Sequence, residues 1–214
     1  MKRWMLGAVV VLAAAPPPAA AQDARLRAAL PPPVLAAVQA AMDSARAAGL
    51  PAEPLASKAL EGASKGADGP RIVASVRALA QRLRTARETL GPRAAEAELT
   101  SAAAALYVGV SPDALRRVQG GAPRGRPLAT AYVALAFLVQ QGVPPETSSR
   151  IVARLLEARA TDGDFAVLQR QVATDVGAGA PPAAAASTRA RGLVIARGAG
   201  WGPLPAVGGA EAWP

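Results

Sequence analysis

Three short turns of one layout divide the chain, and they limit the length of anything that forms between them. Gly49-Leu50-Pro51-Ala52-Glu53, Gly109-Val110-Ser111-Pro112-Asp113 and Gly142-Val143-Pro144-Pro145-Glu146 each run from Gly through an aliphatic residue to Pro with an acid. Gly closes a helix because it takes the left-handed conformation without steric cost. Pro is tolerated in a first helical turn, and an acid there meets the positive end of the helix dipole. Each turn therefore ends one helix and starts another. Gly179-Ala180-Pro181-Pro182 is a degenerate fourth copy, and the copies start 60, 33 and 37 residues apart. That spacing holds a helix, a Gly-bearing link and a second helix. Units of this size stack as helical hairpins in α-solenoids. Ordinary punctuation between unrelated helices has the same layout, and the interiors of the copies barely match. The expected fold is all-α: an irregular helical bundle, or a short α-solenoid of helical hairpins starting near 49, 109 and 142.

Composition agrees with helices. Hydrophobic residues make up 51 % of the 214, yet aromatic residues make up 3 %. Much of the apolar content is Ala, the strongest helix former and a poor strand residue. A core built from it comes from close helix approach rather than large interlocked side chains.

Apolar residues recur at helical spacing along most of the chain. Helices are expected over 24–30, 34–48, 53–64, 70–90, 92–107, 112–120, 128–139, 145–156, 162–176 and 181–191. The 70–90 segment carries the clearest apolar stripe and ends at Gly91. Over 92–107, Leu99, Ala103, Leu106 and Tyr107 share one expected inner face. The 128–139 segment has no charge on any side, the mark of a buried central helix. Thr161 or Asp162 caps the 162–176 helix.

The N-terminus has the layout of a secretory signal peptide. Lys2 and Arg3 precede 11 apolar residues from Met5 to Ala15, then Pro16-Pro17-Pro18 and the small residues Ala19-Ala20-Ala21. The apolar run is short for a membrane span. Expected boundaries are a leader over 1–21, an all-α domain over 22–191 and a flexible Gly- and Pro-rich tail over 192–214. Cleavage leaves a chain without a transmembrane span, periplasmic or secreted.

Charge and chemistry narrow the function classes. The net charge is +9, and the chain has no His and no Cys. Disulfides, Cys nucleophiles, thiolate metal sites, Ser-His-Asp triads and imidazole ligands are excluded. No cofactor or metal site is expected, and no catalytic residue is assigned. Glu96 and Glu98 lie two apart on a helix and point different ways. Asp162-Gly163-Asp164 resembles a fragment of a calcium loop, but helix capping accounts for both acids.

Three surfaces are candidates for interaction. Lys58, Glu61 and Lys65 stand at i, i+3 and i+7 on one helix face, with Gly62 and Gly66 nearby. Two ammonium groups around a carboxylate bind an anion, or simply form a solvated ion-paired face. Arg71, Arg77, Arg82, Arg84 and Arg87 make the outer side of the 70–90 helix basic, which suits acidic partners or anionic lipid. Trp201 and Trp213 lie in the tail, where exposed indoles anchor partners. Nucleic acid is not expected, because no aromatics interleave with the basic residues.

The leading functional expectation is an exported, non-enzymatic helical scaffold or interaction protein of the bacterial cell envelope. The partner is an envelope protein or an anionic surface. The competing class is a small enzyme that works with carboxylates, Lys and Arg.

Overall fold

A computed structural model describes residues 18–201, side chains from residue 21 onward. Among the described residues the chain forms ten helices and no strand. They are α1 (Pro18–Ala29), α2 (Pro32–Ala47), α3 (Glu53–Ser64), α4 (Gly69–Leu90), α5 (Glu96–Tyr107), α6 (Pro112–Gly120), α7 (Ala129–Gln140), α8 (Pro145–Glu157), α9 (Asp162–Gly177) and α10 (Pro182–Ala196). Residues 1–17 of the expected leader and Trp213 lie outside the described residues. No described helix is long and apolar enough to cross a membrane.

Local sequence sets most helix ends. Ser111 accepts a hydrogen bond from the Ala114 N–H and starts α6. Asp68 does the same for Arg71 at α4. At α9 the cap is Thr161, not Asp162. Asp164 reaches back to the Thr161 N–H at 2.5 Å, completing a capping box. The four expected turns share one closing geometry. Gly49, Gly109, Gly142 and Gly179 have φ of +66°, +93°, +91° and +93°. In each, the following residue donates its N–H five residues back, as Leu50 does to the Ala45 carbonyl at 2.9 Å. Leu50, Val110 and Val143 are buried, so the aliphatic residue after the Gly docks the turn on the core.

The expected unit at 49 pairs as α3 with α4, and the units at 109 and 142 do not pair as expected. Alternate helices stack: α2 on α4, α4 on α6, α6 on α8 and α8 on α10. On the other side α1 meets α3, and α5, α7 and α9 form a row. Across the rows the close neighbours are α4 with α5, α3 with α4, α9 with α10 and α7 with α8, while α8 and α9 scarcely touch. A repeat starting at 109 or 142 pairs α6 with α7 and α8 with α9, which is not the observed packing. The Gly turn at 142 lies inside a close pair, and the one at 109 does not. The turn motif specifies how a helix ends, and packing chooses the partner.

Other corrections concern helix limits and faces. Helix α5 starts at Glu96 rather than 92, because the Glu98 carboxylate caps the Ala95 N–H at 3.0 Å. Tyr107 is 70 % exposed instead of inward. Helix α10 runs on to Ala196 with Val194 buried, so the expected tail begins inside a helix. Trp201 is half-buried and packs on the core. Helix α7 buries Tyr132, Leu135 and Leu138 but leaves Val133 half exposed. It touches α5, α8, α9 and, less closely, α6, while α4 has as many helix neighbours.

Candidate functional site

Helices α3, α4 and α5 enclose a cleft of about 340 Å³. Its walls are largely small and apolar, with Leu79 from α4 and Ala103 from α5. Lys58, Arg82 and Tyr107 bring polar groups to it from three different helices. The Arg82 guanidinium carbon lies 4.9 Å from the centre of the Tyr107 ring. This stacking is worth about 0.5–1 kcal/mol at an exposed site and holds a flat, amphipathic surface at the end of α5. Tyr and Arg dominate the energetics of protein interfaces, because each offers large contact area with a polar tip.

The Lys58–Glu61–Lys65 face forms as its spacing requires. The Lys58 Nζ lies 2.9 Å from Glu61 Oε2, and the Lys65 Nζ lies 2.5 Å from Glu61 Oε1. Hydrogen bonds from Lys65 and then Lys58, with their charges, hold the Glu61 carboxyl down to about 2. The same contact raises the Lys65 ammonium pKa. Glu61 thus occupies the position an external anion would take between the two ammonium groups. Glu61 is outside the cleft lining, and no Asp or Glu from another helix joins Lys58 there. Acid–base chemistry has no paired group at this cleft. Gly62 serves a neighbouring helix rather than a ligand: a β-carbon built on it would stand 2.9 Å from the Ile72 side chain.

The basic side of α4 divides into groups with different roles. Arg87 is a staple, donating to the Pro92 carbonyl at 2.6 Å and the Gly49 carbonyl at 2.7 Å. Arg71 pairs with Asp68 at 3.5 Å. Arg84 donates to Gln81 at 3.0 Å, and Arg77 and Arg84 both border a shallow space between α2 and α4. Only Arg82 belongs to the α3–α4–α5 cleft. Trp201 lies at the other end of the chain. The acids of the 162–164 segment face arginines: Asp162 pairs with Arg126 at 3.3 Å, and Asp164 with Arg197.

Tyr107 is the residue that sequence reading missed. Its place after Leu99, Ala103 and Leu106 suggests an inward face. The available signal was its position as the last residue of a helix, where α6 turns away. Comparison with protein families, curated proteins and solved structures finds no match to this chain.

Proposed function

We propose that this chain is an exported, non-enzymatic helical scaffold of the bacterial cell envelope that holds a protein partner in the α3–α4–α5 cleft. The observation that carries the reading is the exposed Tyr107 ring with Arg82 stacked on it, beside an apolar depression. A partner segment suited to it inserts one apolar side chain into the cleft and places a carboxylate near Lys58 and Arg82. The net charge of +9 favours such an acidic segment by steering. The stacked helices support a scaffold role, because an α-solenoid presents long surfaces built from neighbouring units. The leader layout over 1–21 supports export.

Two measurements test this reading. The mature protein should be recovered from the periplasmic fraction with Gln22 at its N-terminus. A cytosolic product with an intact leader refutes export. Full-length bait should recover a partner that Tyr107→Ala loses, while stability falls by no more than the stacking on Arg82, about 0.5–1 kcal/mol. Equal recovery by the two baits refutes the cleft as the binding surface.

A second reading rests on Arg77 and Arg84. Both are exposed on α4 and neither pairs with a carboxylate among the described residues. They suit attachment to anionic lipid. Flotation with vesicles of neutral and anionic lipid decides this, since binding that ignores lipid charge rejects it.

A further inference from the structure

A second cleft, of about 590 Å³, lies away from the α3–α4–α5 site, where the loop after α4 meets the loop after α6. Its volume is that of a small-molecule site. Leu90, Ala94, Ala122, Pro123 and Leu128 provide apolar walls. Arg93 and Arg124 border it from the two loops, are exposed, and make no ion pair among the described residues. Arg126 also lines it but is engaged elsewhere. It donates to the Ala160 carbonyl, pairs with Asp162 and lies 5.9 Å over the Phe165 ring.

The lining includes Tyr132, a buried side chain at 0 % exposure whose hydroxyl bonds nothing among the described residues. A buried hydroxyl left this way destabilises the fold unless a ligand or a water molecule satisfies it. Burial, with the charge of Glu98, pushes its pKa upward, so the proton stays on the oxygen and donates. Glu98 is the one carboxylate of the lining. Its oxygens already accept the Ala95 N–H at 3.0 Å and the Leu128 N–H at 2.8 Å, bracing α5 against α7. The lining therefore carries three arginines against one engaged carboxylate.

We propose that this cleft binds a small organic carboxylate: the anion meets Arg93 and Arg124 at the mouth, an apolar body lies between the loops, and a neutral carbonyl accepts the Tyr132 hydroxyl proton. N-acetylleucine has these three parts and serves as the probe, with octanoate lacking the carbonyl and N-acetylleucine amide lacking the charge. Calorimetry on the full chain should show saturable binding of N-acetylleucine, weaker binding of octanoate and none of the amide. Tyr132→Phe should weaken N-acetylleucine about tenfold and leave octanoate unchanged. Its melting temperature should stay level or rise, because the hydroxyl it removes has no partner. Arg93→Ala and Arg124→Ala, at exposed loop positions, should each weaken both acids by about tenfold. These two variants keep the test open if Tyr132→Phe does not fold. Absence of binding by either acid at about 10 mM, equal binding of the amide, or arginine variants that bind as the native chain does would each overturn the assignment.

Discussion

Arg159 occupies a position that glycine holds at comparable helix ends. It has φ of +57°, and Gly66, Gly142, Gly179 and Gly198 have φ of +68°, +91°, +93° and +72°. At each, the same pair of hydrogen bonds closes the helix, as when Arg159 N–H donates to Leu156 and Ala160 N–H to Leu155. The α8–α9 link is therefore one more copy of the closing geometry, hidden from sequence reading because Arg replaces the marker. A side chain at positive φ crowds its own backbone. Arg159→Gly should raise unfolding stability by about 1 kcal/mol, since the exposed side chain gives little packing. Gly109→Ala should lower it by a similar amount, although its β-carbon meets nothing within 4 Å. Urea unfolding of the two variants checks both signs. A stabilised Gly109→Ala would show that this turn does not need the left-handed backbone.

At the element scale, small residues set how closely helices approach. A β-carbon built on Gly121 would stand 2.7 Å from the Ala153 carbonyl oxygen of α8. Its φ of −76° is ordinary, so the requirement is space and not conformation. Gly121→Ala should cost about 1–3 kcal/mol by pushing α6 from α8. Gly120→Ala, whose β-carbon meets nothing within 4 Å, should leave the melting temperature level or slightly higher. The two adjacent glycines look alike in sequence, and only the neighbouring helix separates them. Helix α3 matches its expected range of 53–64 because Glu53-Pro54 opens it and Lys65-Gly66 closes it locally. Helix α5 does not match at its start, because the cap comes from Glu98, which also binds Leu128, 30 residues on.

Across the whole molecule, ion pairs join elements that the hydrophobic pattern leaves unspecified. Arg189 grips Asp175 through two hydrogen bonds of 2.6 and 2.7 Å, joining α10 to α9. The hydrogen bond from Arg189 and its charge hold the Asp175 pKa down against partial burial. Burial works to raise Asp164, but hydrogen bonds from Thr161 and the charge of Arg197 outweigh it and leave its pKa low. Glu61 is held down to about 2. Carboxylates with a lower pKa in the folded chain contribute stability above their unfolded pKa. That contribution is lost as pH falls through the folded value. The melting temperature should therefore fall as pH drops from the ordinary carboxylate range near 4.5 to about 2. With no His and no Cys, it should change little between about pH 5 and 8. A main drop above pH 5 would contradict the assignment of these groups. Helix class, most helix limits and the left-handed Gly ends were legible in the sequence, because propensity, capping and Gly conformation act over a few residues. Pairing of α7 with α8, the exposure of Tyr107 beside Arg82 and the meeting of Arg93, Arg124 and Tyr132 came only from tertiary structure. Each joins groups brought together by long-range packing of alanine-rich faces, which are nearly interchangeable and so leave no local mark of which helix they will meet.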